Sequence, residues 1–556
     1  MKKKNVFLLL FSVVLVSGHI ARANNIQISN ISLTGQNTTS DFTMVQFDLT
    51  WANSWRVNSG PSNWDAAWVF VKYRVGSGPW LHAFLDNSGH NTGSGTAASI
   101  APGLLNTANV FNATTNPAMG AFVHRSGNGA GTFTQTGLQL RWNYGANGVA
   151  DDAVITVQVF AIEMVNVPQG SFLVGGGNEG QRLTRANSLN NTSFQITATA
   201  PTIQGRSSSS SATNLGATGS IDLSGTTTAA LATGYPTGFN AFYSMKYEIT
   251  QGQYRDFLNT LTRTQQANRV ATNITAGTTT VTNRFVMSNT STLSARNGIR
   301  CDATIDANNP VTFYCDLNNN GTGNEAADGE WIACNWLSWQ DGAAYMDWAG
   351  LRPMTELEFE KACRGPLAPV DGEYAWGTPS ITGSLYTITG AGTSTEGINT
   401  NYSSTAGNAV TSSTWGAIGP LRVGVFAANT NNSGRITSGA TYYGIMEMSG
   451  NVTERAVTLG NVAGRSYTGL HGNGSLFTDG SANVDFWPGI NGNSNPNSAN
   501  TAFGGTIGVT NAAGSGNRGG SANQTTQARV SDRVSANSNS DIRASNFGCR
   551  GVRSTQ

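Results

Sequence analysis

The chain has 556 residues, of which 11% are charged and 38% hydrophobic, with a formal net charge of +1. So even a balance supplies no basic footprint for nucleic acid or an anionic membrane, and this apolar content with so little charge excludes the disordered class. Gly, Ser, Thr and Asn fill much of the rest, which points to loop-rich β structure, and the length sets two domains as the expectation.

The first segment is read as an address. Lys2, Lys3 and Lys4 precede an apolar run from Val6 to Val16, and Ala21-Arg22-Ala23 supplies a small-residue cleavage site. A basic n-region, short h-region and A-x-A site predict a signal peptide over residues 1–23. The run is too short to cross ~30 Å of hydrocarbon at ~1.5 Å per residue. Cleavage removes four of the 32 basic residues against 31 acidic ones, leaving a slightly negative exported chain. The expected location is secreted, periplasmic or cell-surface, with no membrane insertion and no nucleic-acid partner.

Residues 24–160 are predicted to form an all-β sandwich. Ile26–Leu33, Met44–Leu49, Trp68–Tyr73 and Val154–Phe160 alternate in short runs bounded by Gly, Asn, Ser and Pro. Trp51, Trp55, Trp64, Trp68 and Trp80 are read as packing residues, with a sugar-binding platform as the alternative.

Residues 161–556 are predicted to be α+β. Tyr254, Phe257, Leu258 and Leu261 make a helical stripe within Ile249–Leu261. Ser338-Trp339-Gln340-Asp341 and Thr355-Glu356-Leu357-Glu358 resemble capping boxes, with Gly350 and Gly365 closing the two helices. Residues 206–233 and 472–527 are rich in Gly, Ser and Asn without apolar periodicity, and are read as long surface insertions. Asp316–Gly321 fits the first half of an EF-hand loop, but its twelfth position is Ala327, so an Asn-Gly turn is the expectation. The cysteines at 301, 315, 334, 363 and 549 have no C-x-x-C spacing; Cys301–Cys315 and Cys315–Cys334 are both open as local bridges.

Six segments, in order, resemble the formylglycine-generating, or sulfatase-modifying factor, family. They are Met164–Phe172, Phe242–Asn259, Asn335–Glu356, Gly444–Glu454, Arg518–Ser521 and Asn546–Arg550. The resemblance covers roughly residues 164–556 and implies the fold which that family shares with C-type lectins, with much irregular structure.

Family members with oxidase activity hold copper(I) on two cysteines shortly after the Arg-Gly-Gly-Ser motif. Copper(I) is soft and takes thiolates, and a thiolate also exchanges with a substrate thiol. Here Gln524 and Arg529 stand at the matching places, so copper is not expected. The resemblance further implies a calcium block at Glu447, Gly450, Val452 and Glu454, part of a second calcium site at Asn401 and Tyr402, and a Cys363–Cys549 disulfide. Hard oxygen ligands at this spacing suit calcium, although Thr453 and Arg455 replace the tryptophans that usually flank the last glutamate. The expected function is an exported, non-catalytic binding or structural scaffold stabilised by calcium, with a protein or glycan at the cell surface as partner. Two alternatives are a formylglycine-generating oxidase acting on sulfatase cysteines, and a carbohydrate-binding protein.

Overall fold

Strands β1 (Gln27–Asn37), β2 (Phe42–Arg56), β3 (Asp65–Val75), β4 (Leu81–His82), β5 (Ser94–Gly95), β6 (Ala98–Leu104), β7 (Ala118–Arg125), β8 (Gly129–Asn143) and β9 (Ile155–Val167) open the chain. They belong to a computed structural model that describes residues 26–105, 116–186, 192–204, 213–218, 228–411, 419–489 and 508–555. The expected signal peptide therefore lies outside the described residues. The molecule is mostly β with few helices, about 32% strand and 10% helix.

Burial alternates along β2, so Val45, Phe47, Leu49 and Trp51 face one way, as a half-buried strand requires. Strands β1, β2, β8 and β5 form one four-stranded sheet. In contrast, β3 is buried almost throughout, because it separates two apolar cores. Ala67, Val69, Val71 and Tyr73 join the cluster containing Val45, Phe47 and Leu140. Ala66, Trp68 and Phe70 join the cluster containing Leu337, Tyr345 and Trp348, far along the chain. A strand covered on both faces reads as an apolar run, and Trp68–Tyr73 is one apart from Lys72, so the alternation expected there gives way to burial on both sides.

β3 and β9 lie in a larger sheet that continues into the C-terminal part. Its order is Arg352–Pro353, Gly551–Ser554, Phe242–Met245, β9, β3, β7, β6, with β4 also on β3. β9 pairs antiparallel with β3 from Asp65↔Val165 to Val75↔Ile155, and with Phe242–Met245 on its other edge. One strand thus runs through residues 160 and 161 and hydrogen-bonds to both parts of the chain.

Among the described residues the longer helices are α1 (Gln251–Leu258), α2 (Arg263–Arg269), α3 (Trp339–Trp348) and α4 (Glu356–Arg364). Each starts with a reciprocal capping box, Thr250 with Gln253, Thr262 with Gln265, Ser338 with Asp341, and Thr355 with Glu358. Such a cap contributes about 1 kcal/mol. α2 carries no apolar stripe, and its box at Thr262–Gln265 is the signal that marks it.

The two stretches read as surface insertions differ in the structure. Within the described residues of 206–233, Leu215–Ala217 and Thr228–Ala229 are strands, and Leu215 is fully buried. From 472–527, Val484, Trp487, Val509 and Ala512 are core residues. Polar residues here are buried because hydrogen bonds satisfy them: Asn473 Nδ2 donates to Asn483 Oδ1 at 2.6 Å.

Among the described residues no helix is long and apolar enough to cross a membrane.

Candidate functional site

The segment Gly444–Glu454 is a sequence of turns feeding a strand. Glu447, Gly450 and Asn451 all have positive φ. At Gly450 a side chain is also excluded by crowding, since a Cβ would meet the Val410 carbonyl oxygen at 2.6 Å. Gly450 N–H donates to Gly519 O at 2.8 Å, which ties the turn to the Arg-Gly-Gly-Ser motif. Thr453–Val457 then pairs antiparallel with Ser515–Arg518 and parallel with Phe547–Gly548.

Three buried glutamates converge on this turn. Glu447 Oε1 accepts from Gly424 N at 2.9 Å, and Glu454 Oε1 is ion-paired with Arg550 at 3.0 Å. Glu248 receives Val452 N at 2.9 Å and Asn451 Nδ2 at 2.5 Å. Burial pushes the Glu447 and Glu454 carboxyls up to about 7, against the pull of Arg550, and burial beside those two carboxyls raises Glu248 as well. Only Arg550 contacts the three carboxyls; Arg422 and Lys246 act on Glu447 from a distance, Lys246 while paired with Glu163. The second oxygens, Glu447 Oε2 and Glu454 Oε2, are buried without a hydrogen-bond partner. Glu454 Oε2 lies beside Gly519, where a Cβ would come within 2.3 Å of it.

Buried, unpartnered carboxylate oxygens with an excess of negative charge fit a hard cation such as calcium. Among the described residues no three His, Cys, Asp or Glu side chains come together as a metal-binding group. A cation here would therefore take the Glu447 and Glu454 carboxylates and complete its shell with backbone oxygens, the residue types expected at Gly450 and Val452. Glu248 and Arg550 lie in the motif segments Phe242–Asn259 and Asn546–Arg550 but are not singled out there as site residues, because only the tertiary fold brings them to the turn.

Asn401 also has positive φ and donates from Nδ2 to Leu385 O at 2.5 Å. The Tyr402 hydroxyl donates to Thr437 O at 2.8 Å and Phe426 O at 3.2 Å. Both residues thus pin the loop to neighbouring backbone. In the Asp316 loop, Asp316 is ion-paired with Arg300 and accepts from Asn320 N and Gly321 N at 3.1 and 3.0 Å, the closed turn expected of it.

The loop after Arg518 is held at both ends. Arg518 donates to Glu356 and Glu360 at 3.0 Å and to Val530 O at 2.6 Å, while Arg533 clasps Glu356 at 2.6 and 2.9 Å. All four side chains are essentially fully buried. Although burial raises it, the two arginines hold the Glu356 carboxyl below its ordinary value. Ser449 Oγ donates to Ala528 O at 2.6 Å, and Ala522 N to Asn451 O at 2.9 Å. Gln524 and Arg529 sit half-buried on either side of the 3₁₀ turn Thr526–Ala528. Ser521 is a turn residue whose Oγ donates to Asn523 Oδ1 at 2.6 Å.

All five cysteines are free and buried. The expected Cys363–Cys549 bridge is absent: Cys363 packs with Met354 and Phe359, and Cys549 with Leu337 and Trp339 in a different cluster. Burial raises every thiol, Cys301 to about 11 and Cys549 to about 12, so each is held protonated in apolar packing.

The tryptophans at 51, 55, 64, 68 and 80 are engaged in packing. Trp51 stacks on Phe133 and donates to Asp65, Trp68 donates to Ala349 O, and Trp64 donates to the Tyr243 hydroxyl. Trp55 and Trp80 are half-buried under Lys246 and Arg74.

Residues 215–555 match the family described as sulfatase-modifying factor enzyme 1-like domain. The chain belongs to this family. The match runs through the capped helices, the glutamate turn and the Arg-Gly-Gly-Ser loop, and leaves β1–β9 outside it. A comparison with curated proteins gives no match. Gln524 and Arg529 present an amide and a guanidinium, neither of them the soft ligand that copper(I) takes.

Proposed function

We propose that this protein is an exported, non-catalytic member of the sulfatase-modifying factor family, a binding or structural scaffold stabilised by calcium. One observation carries the reading. Buried Arg518 and Arg533 clasp Glu356 at the ends of the loop, and that loop carries Gln524 and Arg529, and no cysteine, where the resemblance implies the family's thiolates. A Cys-dependent oxidation needs a thiolate to hold copper(I) and to exchange with the substrate thiol. Glu447 and Glu454 would hold calcium together with backbone oxygens of the turn, and the ion would supply the positive charge the buried carboxylates lack. The fold shared with C-type lectins, expected from the family, suits display of variable loops to a protein or glycan.

Two measurements test it. Purified protein incubated with copper(I), oxygen and a cysteine-containing sulfatase peptide is expected to leave the thiol intact by mass spectrometry; conversion of the cysteine would establish the oxidase instead. Removing calcium by chelation is expected to lower the melting temperature, and Glu454→Ala to abolish that difference. An identical melting curve with and without calcium would remove the ion from the account.

A further inference from the structure

The Tyr443–Glu447 stretch leading into the glutamate turn is held by the part of the chain that lies outside the family match. Asn63, fully buried, donates from Nδ2 to Tyr443 O at 2.8 Å. The Trp55 ring lies against Gly444, where a Cβ would come within 3.1 Å of Trp55 Cζ2. Asp65 fixes the end of β2 by accepting from Trp51 Nε1, Ser54 Oγ and Trp55 N, each at 2.9 Å. Asp65 and Glu163 together hold the Lys246 ammonium, at 3.8 and 3.0 Å, and that ammonium lies 4.9 Å from the Trp55 ring centroid. Lys246 O in turn accepts from Met446 N at 2.9 Å, one residue before Glu447. These contacts form a continuous path from β2, β3 and β9 to the residue that presents the first carboxylate.

We propose that the N-terminal β unit positions the glutamate turn, with Asn63, Trp55 and the Asp65–Lys246–Glu163 cluster as positioning residues. A turn with successive left-handed residues has little intrinsic preference for one shape. Bracing from outside fixes which backbone oxygens and carboxylates it presents. The functional consequence, a set cation affinity, rests on the calcium reading; the brace itself does not.

The test uses full-length protein and reads amide hydrogen exchange across residues 444–451, together with the calcium-induced rise in melting temperature. Asn63→Ala and Trp55→Leu are the test variants. Tyr144→Phe is the control, because it removes a hydrogen bond to Asp151 within the same β unit but away from the turn. Exchange at 444–451 is expected to quicken by about tenfold in the two test variants and to stay unchanged in the control. Their calcium-induced stabilisation is expected to fall at the same time. Unchanged exchange in both test variants, or an equal increase in all three proteins, would overturn the proposal. If Asn63→Ala does not fold, Trp55→Leu, at a half-buried site, decides alone. If calcium leaves the wild-type melting curve unmoved, the cation reading fails while the exchange measurement still judges the brace.

Discussion

Asp347 shows how a single buried side chain organises a low-complexity segment. Its two oxygens accept from Asn473 N at 2.8 Å and Asn483 N at 2.9 Å, which draws the Gly- and Asn-rich chain beyond residue 472 onto the end of α3. Burial pushes this carboxyl from 3.8 up to about 7. A carboxyl whose folded value is raised contributes stability in full below its unfolded value and loses that contribution as pH rises through the folded one. Between about pH 4 and 7 the wild type should therefore lose stability relative to Asp347→Asn, which does not titrate. Urea unfolding of both proteins at pH 5 and pH 8 measures the difference, and a gap that does not change with pH would show that Asp347 stays ionised throughout.

At the scale of elements, the C-terminal end of α3 illustrates why the N-terminal strands cannot be treated as an attachment. The last carbonyls of a helix have no partner within it. Here Lys72 Nζ donates to Trp348 O and Trp68 Nε1 to Ala349 O, both at 2.8 Å, and Arg553 donates to Gly350 O. Lys72 also reaches Gly474 O at 2.8 Å. Two of these three caps come from β3. Lys72→Met would keep much of the side-chain volume but leave two buried carbonyls unsatisfied, at a cost of about 2–4 kcal/mol. Chemical denaturation would register that loss as a lower midpoint; a loss under about 0.5 kcal/mol, the usual range for surface changes, would mean that water replaces the ammonium. The helix starts, by contrast, are local: Ser338 and Thr355 announce α3 and α4 in the sequence, and their boxes form as expected.

At the scale of the whole molecule, β9 makes one sheet of two stretches that composition and motif would separate. Its residues Met164–Val167 pair with Phe242–Met245 on one edge, while β3 lines the other. Two cores share β3 as a wall, so neither can expose its face without disturbing the other. Calorimetry of the full chain should show one cooperative transition, and two separated peaks would show that the cores unfold independently. Near neighbours and residue type are enough for the strand alternation in β2, the capping boxes, the order of family motifs, and the presence of an amide and a guanidinium, not thiols, at 524 and 529. Only the tertiary structure decided that Glu248 and Arg550 join Glu447 and Glu454, that Cys363 and Cys549 pack apart, and that Asn63 reaches Tyr443. Those outcomes turn on contacts between residues 96 to 380 positions apart, where burial, not spacing, sets the partner and the charge.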